Sequence, residues 1–242
     1  GGGLFGADEF TGSLGVVTIN LPQIGYLANT EEQFFARLAH LMDLAKESLC
    51  NKRKVIQRLY DGGLFPYTKR YLKTLVNHFS TIGLCGMNEC CQNFLGREYN
   101  ITTPEGKAFA EKVLTYMRDR LADYQEQTGD LFNLEATPAE STSYRLARHD
   151  KEQYPDIITA GTTEPFYTNS SQLPVDYTPD VFEALDMQEA LQTKYTGGTM
   201  FHVFMGEQIK DWKSCRDLVR TIAGRYRIPF FTISPTYSIC RI

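Results

Sequence analysis

The stretch GVVTINL, residues 15–21, decides the fold because it is the clearest buried strand in the sequence. Its β-branched and apolar side chains favour extended backbone, and Pro22 directly after it cannot donate to a strand ladder. A helix pattern follows. Thr30 is a suitable N-cap, Glu31 begins an acidic first turn, and apolar residues recur at helical spacing to about Leu59. A buried strand that leads into an amphipathic helix is typical of α/β proteins.

The alternation of strands and helices continues to the end of the chain. Thr103 and Pro104 start the clearest helix, with a capping residue followed by proline in the first turn. Further strands are predicted at residues 80–86, 131–135, 199–205 and 229–234, and further helices at residues 180–194 and 212–226. This pattern predicts one α/β domain with parallel strands joined by right-handed crossovers, in a doubly wound sheet or a barrel.

Composition restricts the class of function. The 242 residues are 42% hydrophobic and 12% aromatic, which provides enough apolar surface for a core and excludes intrinsic disorder. A net charge of −4 disfavours a duplex nucleic-acid binder, which usually carries a basic excess. No apolar run is long enough to span a bilayer, and no secretion signal is recognisable. We therefore expect a cytoplasmic protein with no membrane and no nucleic-acid partner.

The strongest local feature is the segment CGMNECC, residues 85–91. Cys85 and Glu89 place a thiol and a carboxylate beside a glycine that permits a sharp backbone turn. If Asn88 opens a helix, the positive end of the helix dipole would lower the pKa of a nearby thiol and favour the thiolate. The alternative is that these cysteines are small core residues. A zinc site is disfavoured because Cys90 and Cys91 are adjacent and the usual spaced pair is missing.

The segment NLEATPAESTS, residues 133–143, combines a strand, a turn of small hydroxyl residues and a helix start. Free backbone N–H groups at a helix N-terminus are suited to hold phosphate. The alternative is ordinary capping, with Thr137 as the N-cap and Glu140 completing a capping box. Two further polar turns, at residues 167–174 and 195–199, could line a ligand or be plain loops. None of these segments has the spacing of a P-loop or a dinucleotide fingerprint.

Several long motifs in a fixed order resemble one known family. They lie at residues 1–7, 11–22, 133–141, 167–174 and 195–203. Together they resemble the anaerobic (class III) ribonucleoside-triphosphate reductases, which are glycyl radical enzymes. The resemblance implies that residues 1–242 are a single partial catalytic domain, cut at both ends, from a ten-stranded α/β barrel of the glycyl radical enzyme type.

The resemblance also implies a reaction and its partners. Members of this family reduce ribonucleoside triphosphates to 2′-deoxyribonucleoside triphosphates for DNA synthesis, with reducing equivalents from formate or from a thiol system. The glycyl radical residue would lie outside this chain, zinc would be bound in a C-terminal part beyond it, and the thiyl cysteine would precede Gly1. A radical-SAM activating enzyme, a thioredoxin-like reductant and a homodimeric assembly are the expected partners. This chain alone is expected to be inactive.

Site residues follow from the same resemblance. Asn20 matches the family's active-site asparagine and is expected to bond near the reacting ribose. Cys85 and Glu89 match a strand cysteine and a carboxylate that share the pocket in members that use a thiol reductant; with formate as reductant, Cys85 would be a packing residue. The substrate-binding residues are expected to be Thr137, Pro138, Ala139, Glu140, Ser141, Asn169 and Ser170.

Two other classes of function stay open at this stage. A phosphate-handling α/β enzyme without radical chemistry would explain the turn at residues 137–141 but not the cysteine cluster. A non-catalytic regulatory or interaction module would fold stably by itself. A barrel cut at both ends would instead expose strand edges and aggregate.

Overall fold

The described part of the chain is an α/β structure with parallel strands. The computed structural model describes residues 10–174, 177–205, 209 and 211–235. The motif at residues 1–7 and Cys240 lie outside the described residues. The elements follow one another in this order: β1 (Gly12–Asn20), α1 (Leu21–Leu27), α2 (Glu31–Asp61), α3 (Pro66–Tyr71), β2 (His78–Cys85), α4 (Met87–Leu95), α5 (Pro104–Thr128), β3 (Phe132–Glu135), α6 (Glu140–Gln153), α7 (Val181–Gln192), β4 (Phe201–Met205), α8 (Trp212–Arg225) and β5 (Phe231–Pro235).

The strands form two parallel sheets. One has the order β1-β2-β3, and the other pairs β4 with β5. Within the described residues, the free edge of β3 is covered by a loop: Thr196 and Gly197 donate their backbone N–H groups to Leu134 O at 3.1 and 2.7 Å. The α/β class and the parallel pairing predicted from the alternation of elements are confirmed.

The helix starts follow the sequence chemistry. The Thr30 side chain accepts a hydrogen bond from Gln33 N and begins α2, as predicted. The Thr103 side chain accepts from Gly106 N and begins α5, with Pro104 in the first turn. The predicted capping box at residues 137–140 is wrong, because α6 has Ala139 as its N-cap and no side-chain capping bond.

The three-stranded sheet has one apolar and one polar face. Side chains alternate between the faces along a strand, and partners in adjacent strands share a face. Ile19 is buried with the helices on one side, together with Ile82, Leu84, Phe132 and Leu134. The opposite side, here called the polar face, carries the residues between them: Val16, Thr18, Asn20, Thr81, Gly83, Cys85, Asn133 and Glu135. Helix α6 contacts this polar face at the carboxyl end of the strands, where Ala147 packs with Cys85.

Candidate functional site

Two predicted residues meet where strands β1 and β2 end. Asn20 and Cys85 are the last residues of their strands and are partners in the parallel ladder. Parallel strands end at the same edge of a sheet, and ligands of α/β proteins bind outside that edge. The polar face therefore has an amide beside a thiol at its carboxyl end.

The turn after β2 brings a distant loop onto this edge. Gly86 has a φ of +74°, and a Cβ at this position would lie 2.3 Å from Pro22 Cγ, so the tight turn needs glycine. Gly86 N donates to Thr168 O at 2.9 Å, and Met87 N donates to Ser170 O at 2.9 Å. These bonds bring the polar turn predicted at residues 167–174 to the start of α4.

Glu89, in the first turn of α4, is buried, with 1% of its surface exposed. Its carboxylate accepts from Thr168 N at 2.9 Å, from Thr168 Oγ1 at 2.7 Å and from Asn88 Nδ2 at 3.0 Å. Buried charges are tolerated when they are hydrogen-bonded in this way. Glu89 therefore holds the 167–174 turn and places a negative charge near Cys85.

Cys85 is a buried thiol, not a thiolate. Burial, followed by the negative charges of Glu89 and Asp150, raises its pKa to about 12. The predicted lowering of the thiol pKa by the α4 dipole is therefore wrong, because desolvation and two carboxylates outweigh the helix end. Cys90 and Cys91 are fully buried in the main core, so for these two the core alternative is correct.

A second carboxylate, Asp150 of α6, lies against Asn20. Asp150 Oδ2 accepts from Asn20 Nδ2 at 2.7 Å and from Tyr167 OH at 2.8 Å, and Asp150 Oδ1 accepts from Gln23 Nε2 at 2.9 Å. The Tyr167 ring packs against Cys85, and burial, followed by the Asp150 charge, raises the Tyr167 pKa. Asn20, Cys85 and Asp150 thus belong to one cluster.

The predicted phosphate turn lines a groove on the polar face. The groove has a volume of about 560 Å³, and its walls are Val16 and Thr18 of β1 together with residues 137–142. Asn20 continues the same face of β1 two residues after Thr18. Because α6 lacks a side-chain cap, its first backbone N–H groups have no capping partner from Thr137.

Gly83 explains how Thr137 approaches the sheet. A Cβ at Gly83 would lie 1.9 Å from Thr137 Oγ1. Only glycine leaves room for this hydroxyl at the position where β2 faces the groove. The turn at residues 137–141 is therefore fixed partly by the absence of a side chain on the neighbouring strand.

Several buried acceptors around these residues have no hydrogen-bond partner within the described structure. They are Asn20 Oδ1, Thr137 Oγ1, Asn133 Oδ1 and Asn169 Oδ1. An unpaired buried polar atom costs free energy, and a bound ligand that supplies hydrogen-bond donors removes that cost. Three of the four belong to residues predicted to contact substrate.

Ser170 has a different environment from Asn169. The Ser170 hydroxyl lies 2.7 Å from Tyr195 OH, which is also 2.7 Å from Ser171 Oγ. Burial raises the pKa of Tyr195 to about 12. In this structure the Ser170 side chain therefore joins two loops, while the side-chain Oδ1 atom of Asn169 has no hydrogen-bond partner among the described residues.

Sequence reasoning missed Asp150 and Gln23 as members of the site, whereas Tyr167 belongs to the polar turn at residues 167–174. Asp150 follows a run with Arg145 and Arg148 that predicts a solvated helix face. A signal was nevertheless present: Ser143, Ala147 and Asp150 recur at helical spacing, and all three are buried.

No metal centre is assigned here. Within the described ranges, no group of three or more His, Cys, Asp or Glu side chains could hold a metal ion. The resemblance places the implied zinc site outside this chain, so the described residues do not test it. Every helix in the same ranges is too short or too polar to cross a membrane.

These features define an α/β protein with a groove along the polar face of parallel strands, on the side of a sheet where ligands of α/β proteins commonly bind. The family model described as anaerobic ribonucleoside-triphosphate reductase matches residues 1–242. The chain belongs to the anaerobic ribonucleoside-triphosphate reductase family. This confirms the resemblance drawn from the motifs.

Curated relatives carry the same description. The chain is 30% identical over 205 residues to the anaerobic ribonucleoside-triphosphate reductase of Enterobacteria phage T4, covering 79% of this chain and 33% of the relative. The protein of the same name from Haemophilus influenzae is 24% identical over 200 residues, covering 77% of this chain and 28% of the relative. The chain spans about a third of the length of these relatives.

Solved structures of anaerobic ribonucleotide reductases are similar to this chain over most of its length. The anaerobic ribonucleotide reductase from Thermotoga maritima with glycerol in the active site has a TM-score of 0.78 and 27% identity, covering 93% of this chain and 37% of that chain. A structure of the Thermotoga maritima enzyme in complex with dATP and CTP has a TM-score of 0.76 and 26% identity, covering 90% of this chain and 36% of that chain.

Proposed function

We propose that this chain forms part of the catalytic barrel of an enzyme that reduces ribonucleoside triphosphates to 2′-deoxyribonucleoside triphosphates. One observation carries the proposal. The Asn20–Cys85 pair and the groove at residues 137–142 lie along one polar face of one sheet. Phosphate in the groove would leave the ribose at the carboxyl end of β1. Membership of the reductase family supports this function over a phosphate-handling enzyme without radical chemistry.

The groove is proposed to bind the triphosphate. The uncapped start of α6 supplies backbone N–H groups and the positive end of a helix dipole. Thr137 and Ser141 add hydroxyl groups, and Pro138, Ala139 and Glu140 complete the turn. Asn169, with its unpaired side-chain Oδ1 atom, is proposed to contact the substrate as well, and Ser170 to hold the loop that carries Asn169.

Asn20 is proposed to bind the ribose. Its Nδ2 group is already bonded to Asp150, and its Oδ1 atom is buried without a partner. An amide oxygen accepts hydrogen bonds and carries no charge, so Asn20 can hold a ribose hydroxyl without removing its proton.

Cys85 is proposed to supply reducing equivalents as a neutral thiol. Its pKa of about 12 keeps the proton on sulfur at neutral pH. Hydrogen-atom transfer would move one proton and one electron from the protonated thiol to the substrate and leave a thiyl radical on sulfur. A thioredoxin-like dithiol donor would return the hydrogen to Cys85 and supply the second electron and proton to the substrate, and would itself become a disulfide. Glu89, fixed by three hydrogen bonds, keeps the local charge negative. We favour a thiol reductant on this ground, with formate as the alternative.

The glycyl radical implied by the family would start the reaction when present. The residues of this chain would bind the nucleotide, orient the ribose and exclude water from it. Enclosure by a ten-stranded barrel serves that exclusion. The outer edge of β1 pairs with no strand among the described residues, which is compatible with closure by further strands.

The proposed partners follow from the family. Relatives solved with dATP and CTP support nucleotide binding. A radical-SAM activating enzyme, a thioredoxin-like reductant, a homodimeric assembly and a cytoplasmic location are proposed on the same basis.

The test is made in a reductase of full family length that carries this segment. We expect Asn20→Ala and Thr137→Val to abolish nucleotide reduction while circular dichroism stays unchanged. Matched controls are Asn51→Ala on α2 and Thr115→Val on α5, both exposed, which should keep normal turnover. Normal turnover in both site variants would refute the assignment of the pocket.

A further inference from the structure

Asp150 is a buried carboxylate whose three bonding partners are all neutral. Only 1% of its surface is exposed. It accepts from the Asn20 amide, the Gln23 amide and the Tyr167 hydroxyl, at 2.7, 2.9 and 2.8 Å. No ion pair among the described residues includes it. A negative charge kept at this depth without a cation costs stability, which calls for a role beyond packing.

The contact with Asn20 determines which way the Asn20 amide points. A carboxylate has acceptors only, so Asn20 must turn its NH₂ group toward Asp150. The amide group is planar, with nitrogen and oxygen on different sides, so the oxygen then points away from Asp150. That oxygen, Oδ1, is the buried acceptor without a partner. A neutral amide at position 150 could bond to either the NH₂ group or the oxygen of the Asn20 amide, so it would no longer fix which of the two faces the ligand.

Helix α6 links this contact to the phosphate groove. The turn at residues 137–142 leads into the first residues of α6, and Asp150 lies ten residues after Glu140, about 15 Å along the axis. Ser143 and Ala147 bury the same face of the helix between them. One rigid element therefore carries the groove at its start and the partner of Asn20 near its end.

We infer that Asp150 is a positioning residue. It holds the Asn20 side-chain amide so that Oδ1 is free to accept a hydrogen bond from a ribose hydroxyl, and α6 fixes the distance between this amide and the phosphate groove. This inference rests on the proposed function. It adds a residue that touches neither phosphate nor ribose and acts through Asn20. Tyr167 and Gln23 fix the carboxylate in place by occupying its other acceptor positions.

A double-mutant cycle in a full-length reductase tests this inference, with the CTP dissociation constant as the readout of the cycle and kcat as a further readout of the Asp150→Asn single variant. Asp150→Asn is nearly isosteric. We expect it to weaken CTP binding about fivefold and to lower kcat about tenfold or more, as for the loss of one well-placed hydrogen bond. In the Asn20→Ala background, the same substitution should not weaken CTP binding further, because the group that it orients is gone.

The matched control is Tyr26→Phe. Tyr26 OH donates to Asp156 at 2.6 Å and also joins α1 to the chain after α6, without touching Asn20. It should leave both readouts unchanged. If Asp150→Asn does not fold, the Asn20→Asp/Asp150→Asn exchange restores a donor–acceptor pair and should recover binding that Asn20→Asp alone loses. A folded exchange variant without recovery overturns the inference.

The outcomes separate this inference from the proposed function. Equal losses of CTP affinity on Asp150→Asn in both backgrounds would make Asp150 a purely structural residue, and the proposed function would stand. Normal turnover and normal CTP affinity in Asn20→Ala would remove the proposed role of Asn20, and with it that of Asp150.

Discussion

Asn20 and Cys85 lie side by side at the carboxyl ends of β1 and β2, as partners in one parallel ladder. They are 65 positions apart in the chain, separated by α1, α2 and α3. The side-chain amide of one and the thiol of the other share the polar face of the sheet. This pairing places a hydrogen-bonding group and a buried reductant candidate next to each other.

The role of Cys85 predicts a dependence on the reductant. In a full-length reductase we expect Cys85→Ser to lose activity with a thioredoxin-like donor, because a hydroxyl does not donate a hydrogen atom as a thiol does. Nucleotide reduction with each donor is the measurement, and Cys215→Ser on α8 is the matched control with a half-buried thiol. Full activity of Cys85→Ser with the thiol donor would show that the thiol-reductant interpretation is wrong.

The thiol also predicts a pH dependence of stability. The Cys85 pKa is raised from an ordinary value of 9.0 to about 12 in the folded chain. The stabilisation is therefore complete below pH 9 and is lost as the pH rises from 9 to 12, with a slope of up to about 1.4 kcal/mol per pH unit. Urea unfolding at pH 8 and pH 11 measures this loss.

Two variants isolate the Cys85 contribution. Cys85→Ala should show a smaller fall in unfolding free energy between these pH values than the parent chain. Leu121→Ala, a core truncation without a titratable group, should keep the parent's pH dependence. An identical fall in the parent and in Cys85→Ala would contradict the shift.

The buried hydrogen bonds of Glu89 predict that its substitution lowers the stability of the chain. Glu89→Gln would turn an amide NH₂ toward one of the donors on Thr168 or Asn88. Such a mismatch at a buried site should lower the free energy of unfolding by about 1–3 kcal/mol. Chemical denaturation measures this change, and Glu126→Gln, exposed on α5, removes the same charge with no expected effect. Equal stabilities of the two variants would argue against a structural role for the carboxylate.

The close contact between Gly83 and Thr137 predicts that a larger residue at position 83 disturbs the groove. A methyl group at Gly83 would meet Thr137 Oγ1 at 1.9 Å, so Gly83→Ala should displace the groove turn and destabilise the chain by about 1–3 kcal/mol. Gly224→Ala is the control, because a Cβ there has no neighbour within 4 Å and lies in α8. This control should be neutral or stabilising by up to about 1 kcal/mol. Unchanged stability and nucleotide affinity in Gly83→Ala would contradict the proposed packing.

Local sequence chemistry predicted most elements. The β-branched run at residues 15–21 became β1, shifted by a few residues at its ends, and Thr30 and Thr103 cap the helices that they were predicted to start. These features depend on neighbours within a few positions, so the chain itself encodes them. The capping box at Thr137 failed because tertiary contacts at Gly83 position that hydroxyl against β2.

The sequence by itself determined the α/β class, the alternation of helices and parallel strands, and the family. These depend on local secondary-structure preference and on the order of motifs along the chain. Only the tertiary structure decided the protonation of Cys85 and the partners of Asn20. Burial and the charges of Glu89 and Asp150 control the protonation of Cys85. The hydrogen-bond partner of Asn20 is Asp150, which lies 130 residues away along the chain. Electrostatic effects act through space, so spacing along the chain does not reveal them.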